Sequence, residues 1–169
     1  MLITPEHGFE RNDRQSVAAL KFLRWYEHTN HVTVQHSASK DGEKRLMYTD
    51  KKGRERLLKL DGYVEKAAPE KSLAIEFHGC IVHGHECIQN RNLACPNGKS
   101  AARNRELTAE RETIIRKAGL ELETYWECDV NRMLKCDQSM REYYDKLHSV
   151  GPIDQRDAFC GKANSDYKT

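Results

Sequence analysis

The sequence predicts a mixed α/β domain in which helices flank a central sheet, and three observations lead to that fold class. Apolar residues recur at helical spacing in separated segments. Between them run short alternating or β-branched stretches, bounded by turn residues, that are typical of strands. The resulting order is helix, three or four strands, helix, strand, helix, which indicates a mixed α/β domain with a central sheet. At 169 residues the chain is long enough to bury a single core.

The N-terminal half is predicted to contain one helix followed by strands. Asn12 or Asp13 can cap a helix that continues to about Tyr26. The stretch HVTVQH at 31–36 is rich in β-branched residues, so we expect a strand there. RLMYTD and RERLLKLDGYV flank a turn at 51–53, and this arrangement predicts a hairpin.

The C-terminal half is predicted to alternate strand, helix, strand and helix. Its segments, in order, are a strand in SLAIEFHG (72–79), a basic polar loop (88–104), a helix over 107–118 that ends at Gly119, a strand in LELETYWEC (120–128) and a helix from about Asp137 to His148. We therefore expect residues 1–150 to form the domain and residues 151–169 to be a polar C-terminal tail or linker.

Composition and the N-terminal sequence restrict the compartment and the partners that we expect for this protein. Charged residues make up 32% of the chain, and no apolar stretch approaches the length of a membrane span. The start, MLITPEHGFERND, lacks the basic and apolar regions of a signal peptide. We expect an intracellular protein of a reducing compartment, nucleus or cytoplasm, where six cysteines favour metal ligands or free thiols over disulfides. The net charge of +2 means that any nucleic-acid surface must be local.

Acidic residues near two strand ends suit a hard metal ion. Glu76 and His78 point to the same face of their strand because side chains alternate. Asp61 ends the preceding strand, so the three side chains converge at one sheet edge if the strands pair. Two carboxylates and a nearby backbone carbonyl would suit Mg²⁺. The pattern alone is weak, because acidic strand ends are commonly just solvated.

A cluster of cysteines and histidines follows directly in EFHGCIVHGHEC, residues 76–87. Structural zinc uses four tetrahedral sulfur or nitrogen ligands, usually a close group joined to a distant one. A set with that spacing is Cys80, His85, Cys87 and Cys128. Cys95 is a spare candidate ligand, and buried thiols with satisfied histidines are the alternative interpretation.

FHGCIVHGHEC followed by YWEC resembles the very-short-patch repair (Vsr-like) mismatch endonucleases. LDGY, EFHGC, ERE, AGLELETYWEC and GPIDQRDAFCGK resemble even more a nuclease-like segment of family B DNA polymerases from polinton-type mobile elements and viruses. The resemblance spans most of residues 12–162. It implies a restriction-endonuclease-like (PD-(D/E)xK) α/β core with an embedded structural zinc site. The implied activity is an Mg²⁺- or Mn²⁺-dependent DNA endonuclease that nicks its substrate.

The resemblance also implies roles for single residues in catalysis. Asp61 would be the central metal-binding carboxylate, and Glu76 the second acidic ligand of magnesium. The backbone carbonyl of Phe77 would complete that metal site. His78 stands where many such nucleases keep lysine, so it would orient or polarise the attacked phosphate. His83 would be the general base.

For zinc, the resemblance implies a structural site at the same four positions, Cys80, His85, Cys87 and Cys128. The sequence departs from the repair enzymes where those enzymes wedge an aromatic pair into the DNA stack, because Ile81 and Val82 stand there. No residue securely matches the acidic residue that some of these nucleases carry on the first helix, and Glu27 is the candidate.

The expected partners are DNA and a polymerase or other replication protein of the same element. A local basic strip predicts phosphate contact, with a solvated loop as the alternative, and consists of Arg91, Lys99, Arg103 and Arg105. Arg111, on the apolar stripe of its helix, could pair with Glu76, reach a phosphate or extend outward. The rival function is a catalytically inactive, zinc-stabilised DNA-binding or docking module. A zinc nuclease of the His-Asn-His kind ranks third.

Overall fold

The computed structural model describes residues 15–147 and confirms a mixed α/β fold. The elements are α1 (Val17–Asn30), β1 (Arg45–Thr49), β2 (Glu55–Lys59), β3 (Gly62–Val64), β4 (Leu73–His78), α2 (Cys80–His83), α3 (Ala101–Lys117), β5 (Glu121–Trp126), α4 (Glu127–Cys136) and α5 (Gln138–Lys146). The proposed tail at 151–169 lies outside the described residues. None of the described helices has the length and apolar character needed to cross a membrane.

Strand β4 is the centre of a three-stranded mixed sheet, antiparallel to β3 and parallel to β5. All six of its residues are buried. Because side chains alternate along a strand, its two faces meet different helices. Ile75 and Phe77 face a core shared with α1, α4 and α5, whereas Ala74 packs with Ile115 of α3. Glu76 shares the α3 face with Ala74, and this placement decides its partners.

Strands β1 and β2 form the predicted antiparallel hairpin, in which Met47 lies opposite Leu57. Inward-facing Tyr48 and Leu58 join the core cluster on the α3 side. The carboxylate of Asp50 organises the turn, because its Oδ1 accepts from two backbone N–H groups of the turn at 2.8 and 3.0 Å. The hairpin is therefore anchored along one face and closed by its own side chain.

The start of α1 and the expected strand at 31–36 differ from the prediction. Helix α1 begins at Val17, and its N-cap is Ser16 rather than Asn12 or Asp13, which lie outside the described residues. Residues 31–36 form only one bridge, from Gln35 to Tyr63. The β-branched content was misleading because only Gln35 pairs with a strand, whereas the backbone N–H groups on either side of it are bound by side chains of α1 and of its own loop.

The C-terminal half also differs in two places. The basic polar loop is shorter than predicted, because Ser100 caps α3 and the helix starts at Ala101. Helix α4 was not predicted: the chain leaves β5 at Trp126 and turns directly into a helix. The predicted helix from Asp137 is confirmed as α5, with Asp137 as its N-cap; the positions beyond Leu147 lie outside the described residues.

Candidate functional site

A cleft of about 490 Å³ opens at the carboxyl end of β4, beside the N-terminal end of α1. The ionisable side chains that line the cleft are three carboxylates, two cations and one imidazole, namely Glu43, Asp61, Glu76, Lys59, Arg111 and His83. Asp61 and Glu76 of the predicted metal pair therefore do meet at one edge of the sheet. The backbone of Phe77 lines the same cleft, while its ring is buried in the core cluster against α1.

Asp61 is positioned by the backbone around it. Its Oδ2 accepts from the N–H of Phe77 at 3.0 Å, and its carbonyl accepts from Gln15 Nε2 at 2.8 Å. The following residue must be small, because a Cβ on Gly62 would lie 2.7 Å from a core leucine side chain. Burial, and then the neighbouring charge of Glu76, raise the pKa of Asp61 to about 7.

Glu76 is buried and bound by Arg111 from α3. The guanidinium donates from Nε to Oε2 at 2.6 Å and from Nη2 to Oε1 at 2.9 Å, a bidentate pair. The same Nη2 also donates to the carbonyl of Lys59. Of the three roles open to Arg111 from sequence, the structure shows the pairing with Glu76. Burial nevertheless keeps the pKa of Glu76 above its ordinary value.

Glu43 is a cleft carboxylate that sequence reasoning missed. It is 7% exposed, and its Oε2 lies 3.6 Å from Nζ of Lys59. Its charge also contributes to the raised pKa of Asp61. Glu43 follows a turn and belongs to no strand or helix, so no local sequence pattern distinguishes it from a solvated loop residue.

His83 enters the cleft from the short helix α2 with one ring nitrogen already engaged. The hydroxyl of Thr108 donates to the carbonyl of His83 at 3.3 Å, so its oxygen accepts from Nδ1–H of the ring at 3.2 Å. That bond leaves Nε2 as the unprotonated nitrogen. Burial and the charge of Arg111 lower the pKa of His83 to about 4, which keeps the ring neutral at pH 7.

His78 lies beneath the cleft rather than on its surface. It is fully buried, stacked on His83 with ring centroids 4.4 Å apart and packed against Trp126 at 5.0 Å. Neither ring nitrogen has a hydrogen-bond partner among the described residues, and Glu112 Oε1 lies 3.7 Å from Nε2. The predicted phosphate contact does not fit this position, because neighbouring rings cover the imidazole.

A second site, 80–87 with Cys128, could hold a metal ion. Its four ligand atoms, from Cys80, His85, Cys87 and Cys128, all lie within 4.8 Å of one another. His85 Nδ1 is 3.8 Å from Cys80 Sγ and 3.4 Å from Cys128 Sγ. Tetrahedral zinc bonds of ordinary length would place such atoms roughly 3.5 Å apart. The four predicted ligands are together, and Cys95 is buried elsewhere, with Sγ 3.7 Å from the carbonyl of Leu93.

The loop that carries three of these ligands is fixed by backbone contacts. Gly84 has a φ of 67°, and a Cβ there would lie 2.0 Å from the carbonyl of Ala101. Glu127 Oε2 accepts from the N–H of Cys80 at 3.2 Å and joins the end of β5 to α2. Since β4 and β5 run parallel with His78 beside Trp126, their carboxyl ends bring Cys128 to the loop.

The residues of the predicted basic strip make different contacts in the structure. Arg91 donates to the carbonyls of Gly84 and His85 at 3.1 and 3.2 Å, so it supports the metal-ligand loop from within. Arg103 and Arg105 lie on α3: Arg103 pairs with Glu106 at 2.6 Å, and the Arg105 guanidinium lies 5.2 Å from the centre of the Trp126 ring. Lys99 is exposed. The strip is thus partly structural.

Glu27, the candidate first-helix acid, does not line the cleft. Its carboxylate accepts from the N–H of Val34 at 2.9 Å and from Arg24 at 2.9 Å.

No protein-family model, curated protein or solved structure matches this chain. The described residues thus form two candidate sites, a carboxylate cleft and a Cys/His cluster, and both sites take residues from the short helix α2.

Proposed function

We propose that the chain is a divalent-metal-dependent DNA endonuclease, which nicks DNA and has a zinc-stabilised, restriction-endonuclease-like core. One observation carries the proposal: Asp61 and Glu76 meet in an open cleft beside His83, whose free ring nitrogen is set by Thr108. This combination of paired carboxylates and a positioned base is what hydrolysis of a phosphodiester requires.

The donor set of the cleft fits Mg²⁺ or Mn²⁺. Asp61, Glu76 and the backbone carbonyl of Phe77 would hold the ion, since hard cations prefer oxygen ligands. Burial, and then repulsion by the charge of Glu76, raise the pKa of Asp61, and a bound cation would offset both effects. A bound divalent ion would activate water and neutralise phosphate charge. Glu43 adds a third carboxylate to the same cleft.

The side chains of the protein account for the remaining chemistry. His83 would accept the proton of the attacking water at Nε2, because Nδ1–H is held by Thr108. Lys59 and Arg111 line the cleft and would contact the substrate phosphate once a divalent ion neutralises the carboxylates with which they pair. His78 would position His83 by stacking beneath it, rather than touch the phosphate.

Three of the motifs that carry the family resemblance supply site residues. LDGY supplies Asp61, EFHGC supplies Glu76 and the first cysteine of the cluster, and YWEC supplies Cys128. The mixed sheet and its helices support the proposed core, because β4 pairs antiparallel with β3 and parallel with β5, and helices α1 and α3 cover its two faces. Zinc would fasten α2, and with it His83, to the end of β5.

A zinc-stabilised DNA-binding or docking module without catalysis is the second candidate. The bidentate Arg111–Glu76 pair favours it, because a glutamate already neutralised by arginine needs no metal ion. Against it stands the cost of burying several carboxylates around an open cleft for no chemical purpose.

A nicking assay tests the proposal. Wild-type protein, Asp61→Asn and Asp145→Asn are incubated with supercoiled plasmid and with labelled branched and mismatched duplexes, in Mg²⁺ or Mn²⁺ or without either ion. Asp145 is exposed on α5 and is the matched control. We expect metal-dependent nicking that Asp61→Asn abolishes and Asp145→Asn retains. Nicking that survives Asp61→Asn contradicts the proposal, and DNA binding without any nicking favours the second candidate.

A further inference from the structure

We propose that the β1–β2 hairpin is a DNA-binding arm that enters a groove of duplex DNA next to the cleft. The inference rests on the proposed function for the choice of DNA as substrate, and it adds the surface that grips the duplex outside the cut site. Charge, exposed apolar area and the position of the hairpin support it independently.

The hairpin is the basic part of a nearly neutral chain. Residues 44–59 contain two acidic residues and seven basic ones, Lys44, Arg45, Lys51, Lys52, Arg54, Arg56 and Lys59. Their net charge is +5, whereas the whole chain has +2, so the other residues together are net negative. Such concentration of positive charge on one element is typical of a surface that contacts phosphates.

The outward face of the hairpin also exposes apolar side chains. Met47 is 63% exposed and Leu57 is 51% exposed, and the two lie opposite each other across the strands. The inward face, with Tyr48 and Leu58, packs on the core, whereas the outward pair belongs to none of the hydrophobic core clusters of the described residues. Apolar side chains on a basic element contact base edges or wedge between base steps.

The exposed pair, Met47 and Leu57, lies next to the end of the hairpin that lines the cleft. Lys59 lines the cleft and lies opposite Arg45, one same-face pair before Met47 and Leu57. Successive pairs on one face are about 7 Å apart, and the five-residue strands extend about 17 Å. With a DNA rise of about 3.4 Å per base pair, the hairpin would cover about five base pairs to one side of the cut.

The hairpin tip is pre-organised rather than loose. Asp50 Oδ2 accepts from the guanidinium groups of Arg54 at 3.0 Å and Arg56 at 3.2 Å, while Oδ1 holds the turn backbone. Lys51 pairs with Glu110 at 2.9 Å, but it is 89% exposed. Such an exposed pair contributes little, so a phosphate could replace the carboxylate at small cost.

Duplex DNA fits these features better than RNA or protein. The major groove of B-form DNA admits a two-stranded ribbon, whereas the deep, narrow major groove of A-form RNA does not. A protein partner would meet a cluster of cations around only two apolar side chains, a composition unlike the centre of a protein interface.

The test measures anisotropy of a labelled 20-base-pair duplex over a range of salt concentrations, without added Mg²⁺ or Mn²⁺ so that binding is separated from cleavage. Three double variants of the full chain are compared: Lys51→Ala/Lys52→Ala, Met47→Ser/Leu57→Ser and the control Lys71→Ala/Lys135→Ala. The control residues are exposed and outside the hairpin. Thermal melting checks that each variant folds.

We expect the hairpin lysine variant to bind about tenfold more weakly and to lower the salt slope by about 1.8, since each lost phosphate contact contributes about 0.9. The apolar variant should also bind about tenfold more weakly, with its salt slope unchanged, because it removes no charge. The control should stay within twofold of wild type.

Hairpin variants that bind within twofold of wild type overturn the inference, as does tighter binding to an RNA duplex of the same length or no binding to duplex DNA. Hairpin-dependent binding by a chain that never nicks DNA would leave the inference standing and remove only the proposed catalysis. Nicking with hairpin-independent binding would do the reverse.

Discussion

Replacing Cys128 with serine separates the local from the long-range part of the proposed zinc site. Three of its four ligands come from the eight-residue segment 80–87, and Cys128 alone comes from beyond β5. Cys128→Ser therefore removes the connection between distant segments. Cys87→Ser also removes one sulfur ligand, but leaves Cys128 bridged to the loop. The pair is a matched comparison of equal ligand loss with unequal cross-linking.

The size of the difference follows from the loop that the metal closes. The loop from Cys87 to Cys128 contains 42 residues, both cysteines included. If the bound ion constrains the unfolded chain as a cross-link does, closing a loop of that length contributes about 4 kcal/mol. In a domain of this size, that corresponds to a fall in Tm of about 10 °C. Cys87→Ser should lose less than half as much at saturating zinc.

The assay is thermal unfolding with and without a chelator, together with zinc content by atomic absorption. Wild type should contain one zinc per chain, and Cys95→Ser should retain it because that thiol lies outside the cluster. In chelator, all the proteins should melt close together. The reasoning is refuted if Cys128→Ser keeps full zinc content, or if it melts no lower than Cys87→Ser.

Three further predictions concern backbone strain, pH and the proposed base. Gly84→Ala should lower the free energy of unfolding, measured by chemical denaturation, by about 3 kcal/mol or more, because the added Cβ would collide with a backbone carbonyl of α3. Gly53→Ala is the control: its φ is also positive, at 75°, but the space around it is open, so it should lower the free energy of unfolding by only about 1 kcal/mol. Because the pKa of Asp61 is raised to about 7 in the folded protein, its contribution to stability is fully present below pH 4 and is lost as the pH rises towards 7. Asp61→Asn should therefore make the denaturation midpoint depend less on pH between pH 4 and 7. An unchanged dependence of the midpoint on pH contradicts the assignment. Thr108→Val should lower nicking about tenfold or more and leave zinc content intact, because it frees Nδ1 of His83; equal nicking would remove this tautomer from the mechanism.

Local patterns in the sequence predicted much of the fold correctly. Helices α1, α3 and α5, the hairpin, β4 and β5 each have a periodic apolar face or a turn signal that acts over a few residues. The segment at 31–36 has strand composition, yet only Gln35 pairs with a strand, since side chains of α1 and of its own loop bind the neighbouring N–H groups. Pairing between distant segments is a property of the whole chain, so composition could not exclude that strand.

The sequence by itself determined which residues could bind a metal and which could do acid–base chemistry. The spacing in 76–87 and in YWEC specified the Cys/His cluster, because ligand chemistry restricts both residue type and distance along the chain. For Asp61 and Glu76 the sequence showed only acidic residues near strand ends, and their binding of a metal ion stays a prediction.

Only the tertiary structure decided how those groups are used. It buried His78 beneath His83, brought Glu43 into the cleft and placed Arg111 on Glu76. Each outcome depends on which helix covers a given face of β4, and that is set by packing across the sheet. Burial and neighbouring charge depend on distances in space, so a linear sequence specifies the ligands of a site before it specifies their environment.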